Sequence, residues 1–388
     1  MKEILPTQRS SGRKATVSTR EVSSPQDLQR FIDFPYRLYK DCPYWIPPIK
    51  KAEAGFFDPQ KNPAFKHSQV KLWIAEKDGI VAGRVVGIIN DLETRYRGTV
   101  RGRFGWLEFE DDPEVSRALL DAVSAWAKAR GCNWIKGPVG FSYMDPAGMT
   151  IEGFEEVGTI SAPFHYPYYR EHMDGHGFQK MNDYFEYVVE PIPAEVPEKL
   201  RRLEPIIEKK FGIRQVPIRS QAELRRKVGE FFYLLPSSFK DLPTFVPLSD
   251  EETEKYTRDF FPFMDPKYFP LLQDSDGNMV GFGLLIPSYA GTLIRAKGSM
   301  YPFGFLSFLW NKWFHREVDL IMVGVLEKWR NKGLNAVIFG NSIPVLIRQK
   351  VKKVRLNPQL EENQAAHALF KDYNPRLFRK RRVYWKEL

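Results

Sequence analysis

The chain has 388 residues, of which 43% are hydrophobic and 14% aromatic, with a formal net charge of +10. That composition excludes a disordered protein, and the length suits two domains at roughly 100–200 residues each. The basic excess lies in residues 191–388, where 33 Lys and Arg face 22 Asp and Glu, so an anionic partner is expected there: a phosphorylated cofactor, an acidic membrane surface or a nucleic acid.

Residues 1–20 are rich in Ser and Arg and lack an apolar run, so they read as a disordered tail, with a transit peptide as the alternative and a secretory signal disfavoured. A hairpin is predicted over Lys71–Asp91, with Asp78-Gly79 as a two-residue turn. Next come a strand, "RFGWLEFED", and a helix, "PEVSRALLDAVSAWAKARG". Val115, Leu119, Ala122, Val123 and Trp126 share a face of that helix, Pro113 suits its start and Gly131 its stop. A short strand (133–139) and a final strand (178–190) close the first half. Residues 191–215 are proline-containing and read as a linker.

The second half repeats the plan. Ser220 with Glu223 and Ser249 with Glu252 fit helix capping boxes, and Ser24 with Asp27 is a looser match in the first half. A hairpin with Asp276-Gly277 at its turn follows. Then come the strand "VDLIMVGVLE", a helix starting near Gly333 that Pro344 should kink or shorten, a short strand (352–357) and a last strand (376–388). The basic run "RLFRKRRVYW" (376–385) reads as the solvent side of that strand or as a nucleic-acid face. No run approaches the roughly 20 apolar residues of a spanning helix. Cys42 and Cys132 have neither metal-ligand spacing nor a disulfide framework, which fits a reducing cytosol.

The stretch "IMVGVLEKWRNKGLNAVIFGNSI" (321–343) places positive charge and a glycine at a strand-to-helix junction. A helix N-terminus offers unpaired N–H groups and a favourable dipole, and a glycine lets an anion approach the backbone. With Arg330 and Lys332 beside Gly333, the pattern points to a pyrophosphate cradle.

"RNKGLN" (330–335) resembles the Q/R-x-x-G-x-G/A element of the GNAT acyltransferase superfamily, with Gly333 as the first glycine and Asn335 where the second glycine or alanine stands. "NQAAHALFKDYNP" resembles the family's N-x-x-A-x-x-L-Y helix: Asn363, Ala366 and Leu369 keep register, and Phe370 replaces the tyrosine that commonly protonates the departing thiolate. The resemblance implies acyl-CoA as co-substrate. It would be held by Arg330, Lys332, Gly333, Asn335 and Asn363, with the strand carrying Val323 and Val325 along the pantetheine. The first half resembles a degenerate copy, because Glu110, Asp111 and Asp112 occupy the loop that would bind pyrophosphate. "LYKDCPYWIPP", "GPVGFSYMDPAGMTIEGFEE", "YPYYREHMDGHGF" and "PFGFLSFLW" resemble a bacterial tandem-GNAT family that includes bacterial ceramide synthases.

Acyl transfer to an amine needs a proton acceptor for the amine, a donor for the thioester carbonyl and a proton for the thiolate. Backbone N–H groups near Gly324–Leu326 could polarise the carbonyl. Glu327 could be the base, or a solvated loop glutamate. The glycine-rich loop 137–154 and its polar neighbours, with Asp145, His165 and Tyr169, could form the acceptor pocket with Asp145 or His165 as base, or serve as a structural loop. His165, His172 and His176 raise a metal site, but Gly175 and Gly177 break a helix that would align the last two, so no metal is expected. Over Leu306–His315, Leu306, Leu309, Trp310, Trp313 and Phe314 share a helical face, flanked by Lys297, Lys312 and Arg316. That face suits an anionic bilayer, an acyl-chain tunnel or a core contact.

The expected fold is α/β: two GNAT-like domains in tandem, each a twisted mixed β-sheet flanked by helices. A first, acceptor-side domain would span 21–190, and 216–388 would bind acyl-CoA. The expected function is transfer of a fatty acyl group from CoA to the amine of a lipid such as a sphingoid base. The alternatives are a short-chain N-acetyltransferase and a non-catalytic acyl-CoA or lipid sensor. The expected location is the cytoplasm, with peripheral contact on the inner face of an anionic membrane. Nucleic acid is disfavoured as a partner.

Overall fold

The structure is a computed structural model that describes residues 16–301 and 304–388. In the first half the strands are β1 (Val17–Glu21), β2 (Ser68–Lys77), β3 (Ile80–Asn90), β4 (Gly102–Phe109), β5 (Trp134–Gly137), β6 (Met149–Glu152) and β7 (Gln179–Val189). The second half contributes β8 (Arg214–Val216), β9 (Leu271–Gln273), β10 (Met279–Pro287), β11 (Glu317–Val325), β12 (Lys353–Leu356), β13 (Gln359–Leu360) and β14 (Arg376–Glu387). They form one mixed sheet in the order β1-β2-β3-β4-β5-β14-β7-β12-β11-β10-β9-β8, with β6 beside β14 and β13 beside β7. Helices pack on it, so the fold is α/β with a tandem design.

The two ends of the sheet repeat one pattern. β4 and β5 run parallel, as do β11 and β12, while their other neighbours are antiparallel. The last strand of each half crosses over. β14 pairs with β5 of the first half, β7 pairs with β12 of the second, and β7 and β14 pair with each other at the centre.

Local sequence accounts for much of this. Lys77 pairs with Ile80, so Asp78-Gly79 is the two-residue turn, and both residues take positive φ (52° and 81°) as a primed turn requires. Val115, Leu119, Val123 and Trp126 of the helix Pro113–Lys128 are buried against Val85 and Ile89 of β3, and Phe31 and Val86 build a second core on the other face. Ser249 and Glu252 form a full capping box. In the second hairpin the turn is longer, because Asp274 Oδ1 accepts from the N–H groups of Asp276 and Asn278 and organises residues 274–278.

Four expectations change. Of the tail expected over 1–20, residues 1–15 lie outside the described residues, and Val17–Glu21 form β1 on the edge of β2. Segment 191–215 is structured: the helix Glu198–Phe211 buries Leu200 and Ile207 in the second-half core, and β8 follows it. The helix Leu334–Arg348 runs on through Pro344, because burial of Ile343 and Leu346 outweighs the missing N–H. The basic run of β14 lies inside the sheet rather than on a solvent face. Arg379 and Arg381 are buried, Arg381 donating to Pro163 O at 2.6 Å, and Arg382 forks onto Asp183 at 2.7 and 2.9 Å.

Candidate active site

β11 and β12 pair only from Glu317↔Lys353 to Leu320↔Leu356. Beyond that point β11 continues, while the other chain turns away so that Gln359 and Leu360 pair with β7. The strands part as a wedge. At its root the β10–β11 register slips by one residue, leaving Ile321 without a partner. Such a bulge bends the strand and disrupts the ladder, which makes backbone groups available to a ligand.

A cavity of about 250 Å³ occupies the wedge. β11 supplies Leu320–Val323 and the opposite side Leu356–Leu360. Tyr143–Ala147, Ile160 and Ser161 arrive from the first half, and Tyr184 from the exchanged strand β7. The wall is mostly apolar with a few polar groups, as small-molecule sites commonly are. Among the described residues that line it, Asp145 is the sole carboxylate. Its Oδ1 accepts from Tyr256 Oη at 2.9 Å, and its Oδ2 from Ser142 N at 3.1 Å. Burial pushes the carboxyl above its ordinary range, and the bonds from Ser142 and Tyr256 oppose that push. Tyr143 Oη and Gln359 Oε1 lie buried at the wall without a hydrogen-bond partner among the described residues. Burial raises the Tyr143 pKa, so its hydroxyl stays protonated and can donate.

The wall is braced from the first half. Glu93 bonds Arg103 Nε at 2.6 Å and Lys136 Nζ at 2.7 Å in a buried triad. The same cations donate to Thr244 O and Pro243 O at 3.3 Å each, fixing the segment that brings Leu242 and Thr244 to the cavity. Asn357 Oδ1 accepts from Thr159 Oγ1 at 3.2 Å and from Ser161.

At the far end of β11 the chain enters the basic loop. Gly333 takes φ 81° and caps the helix Leu334–Arg348 without a side-chain hydrogen bond. The N–H groups of Gly333, Leu334 and Asn335 make no backbone hydrogen bond among the described residues. Lys332 Nζ sits 4.4 Å from the Trp329 ring, whereas Arg330 is drawn to Ser237 O, Ser238 O and Asp241. The first half answers the same position differently. Asp112 caps the helix Pro113–Lys128 with its own carboxylate and pairs with Lys77, so that N-terminus is already satisfied. The wedge there is also closed: a Cβ on Gly105 would come within 2.6 Å of Val139 O, and the cavity measures about 60 Å³. The residues around Gly333 therefore fit a diphosphate, and those around Asp112 do not.

Of the residues singled out by sequence, Asp145, Val323 and Asn363 meet at the large cavity, Asn363 also capping the helix Gln364–Phe370. Phe370 lines it too. Val325 packs on the second-half core. His165 lies at the small first-half cavity, where burial, then Arg381 and Arg379, holds its pKa well below the usual range. Tyr169 is inside the first-half core, its Oη accepting from Phe109 N at 2.9 Å. Glu327 is exposed and paired with Lys240 at 2.7 Å, which holds its carboxyl below the ordinary value. Leu326 N is bonded to Val280 O, and the irregular stretch of β11 lies at Ile321 instead. His172 and His176 both reach Ser116 Oγ, at 2.7 and 2.9 Å, despite the glycines around them. Sequence reading missed Tyr184, Asn357 and Tyr256. Their roles come from strands and loops joined over long separations, for which the sequence carries no local signal.

No protein-family model matches the chain. Relatives of similar length include Protein YghO of Escherichia coli (strain K12), 27% identical over 375 residues and 95% of each chain. Another is a bacterial ceramide synthase of Caulobacter vibrioides, 25% identical over 384 residues, 96% of this chain and 98% of that one. Among solved structures, a tandem GNAT protein from the clavulanic acid biosynthesis pathway covers 96% of this chain and 98% of its own, with TM-score 0.55 at 13% identity. A GCN5-related glucosamine N-acetyltransferase region of a fungal β-N-acetylglucosaminidase covers 99% of this chain and 40% of that one, with TM-score 0.55 at 15% identity. The structural likeness speaks for the fold, and the full-length relatives for the family. The tandem-GNAT fold and these near-full-length relatives together support a tandem-GNAT family that includes bacterial ceramide synthases, and an acyltransferase.

Proposed function

We propose that the chain moves a fatty acyl group from CoA to the amine of a lipid such as a sphingoid base, at the inner face of a membrane. The observation that carries this reading is the apolar cavity in the β11–β12 wedge with one carboxylate, Asp145, on its wall. A short acetyl group would leave most of that wall uncovered. The relative named a bacterial ceramide synthase supports the same substrate class.

In this reading the diphosphate of acyl-CoA lies at Gly333 and Lys332, and the thioester lies along β11. Backbone N–H groups at the Ile321 bulge polarise the carbonyl. The neutral amine attacks it directly. A C–N bond forms, the C–S bond breaks, and Asp145 accepts the proton the amine loses. The thiolate takes a proton from a hydroxyl on the wall. Phe370 cannot give one, and Tyr143, whose buried Oη has no hydrogen-bond partner among the described residues, is our candidate donor. Arg330 holds the basic loop against the segment 237–241 rather than serving as a free phosphate ligand.

Phe370 also favours a second reading, a non-catalytic acyl-CoA or lipid sensor. Deleting the gene and profiling amines tests the substrate class. Accumulation of a free long-chain base is the expected result, and accumulation of a short-chain amine instead would overturn the lipid reading.

A further inference from the structure

The helix Gly304–Phe314 is inside out. Gly304, Phe308 and Asn311, with His315 just beyond the helix, face the protein. Phe308 stacks on Tyr289 at 4.1 Å and meets Phe263 edge-on at 5.4 Å, Asn311 donates to Ser288 O at 2.9 Å, and His315 bonds Tyr268 Oη at 2.6 Å. The opposite face carries Phe305, Leu306, Leu309, Trp310, Trp313 and Phe314, and all are exposed, Trp310 at 67% and Trp313 at 71%. Trp310 and Phe314 pack sideways along the helix, at 4.4 Å. An apolar stripe this dense on a folded surface marks an interaction site.

Charge identifies the partner. Residues 289–316 contain Arg295, Lys297, Lys312 and Arg316 and no Asp or Glu. Large apolar side chains on one face, with basic residues around them, match the interface of an anionic bilayer, where the rings enter the acyl region and the cations stay at the headgroups. No helix among the described residues is long and apolar enough to cross a membrane. Eleven residues span about 16 Å, enough to lie in the interface plane. The cluster beneath this helix also borders the cavity. Phe308 belongs to the same apolar core as Tyr143, Met144, Ile160, Phe239, Phe260 and Met322, which line the large cavity.

We infer that the helix Gly304–Phe314 docks the protein on an anionic lipid bilayer through Phe305, Leu306, Leu309, Trp310, Trp313 and Phe314, beside the apolar core that borders the cavity. A part in bringing a lipid substrate to the protein rests on the acyl-transfer reading; the docking itself does not.

The test is flotation of the full chain with phosphatidylcholine vesicles, with and without phosphatidylglycerol. The intact protein is expected to float with the anionic vesicles and to release them as salt rises. Trp310→Ser/Trp313→Ser and Lys297→Glu/Lys312→Glu should each weaken partitioning about tenfold or more. In detergent both variants should keep acyl transfer, and on vesicles lose it. Failure of the intact protein to float would overturn the inference. So would flotation unchanged by the Trp pair, or a dimer that the Trp pair dissolves without any flotation. Flotation needs no substrate, so a protein that floats without releasing thiol would count against acyl transfer alone.

Discussion

Asp145 and Tyr256, one from each half of the chain, meet at 2.9 Å beside the central cavity. The carboxylate is therefore set by both halves: the first supplies the acid and its Ser142 N–H, and the second supplies the phenol that stabilises its charge. Asp145→Asn is expected to lower kcat by about 10²–10⁴-fold with little change in CoA affinity.

Tyr256→Phe gives a pH signature. Burial raises the Asp145 pKa, and the Tyr256 hydroxyl opposes it by favouring the ionised form. A base works when deprotonated, so activity rises with pH through this pKa. Without the Tyr256 hydroxyl the pKa climbs further, and the acid limb of the kcat/KM profile should move to higher pH. A purely structural role would lower activity without moving that limb.

Gly333 sits at φ 81°, and a Cβ on it would lie 3.1 Å from Ile207 Cδ1. Gly333→Glu places a negative charge at a helix N-terminus that offers N–H groups to an anion. The Kd for CoA, read by calorimetry, should rise about tenfold or more. Gly333→Asn separates charge from backbone strain, because Asn tolerates the left-handed region, and it should cost far less. Equal losses in the two variants would show that strain, not electrostatics, governs the loop.

The Glu93 triad sets acid stability. Burial works against its charge, but the Arg103 guanidinium and the Lys136 ammonium outweigh it and hold the carboxyl at about 2, against an ordinary 4.5. Burial pushes Lys136 down to about 7, and Glu93 opposes that push. The folded state binds this proton more weakly than the unfolded state. The stabilisation is full above pH ~4.5 and is lost as pH falls toward ~2. Glu93→Gln should destabilise by about 3 kcal/mol at neutral pH and flatten the acid limb of Tm against pH.

The exchanged strands make the halves one folding unit. Removing residues 376–388 deletes β14, which lies between β5 and β7 of the first half. Hydrogen exchange should then show lost protection in β5 and β7 as well as in the second half. Protection lost only in the second half would contradict this.

What was legible in the sequence was local. Asp78-Gly79 between alternating strands, Ser249 with Glu252, and Gly333 after an apolar run each fix their own backbone, so each could be read where it stood. The crossing of β7 and β14 could not, since it depends on partners about half a chain apart. The run "RLFRKRRVYW" looked like a solvated strand because charge usually faces water. Here Glu186, Asp183 and backbone carbonyls receive it inside the sheet. The stripe on Leu306–Phe314 was visible from its period, but a period does not say which side faces the solvent.

The most direct test of the central claim, that the wedge cavity joins an acyl-CoA to a lipid amine, is thiol release from palmitoyl-CoA in the presence of sphinganine. Free CoA should appear in step with an N-acyl product, and only when the amine is present. CoA bound without thiol release, across sphinganine and a panel of other amines, would contradict it.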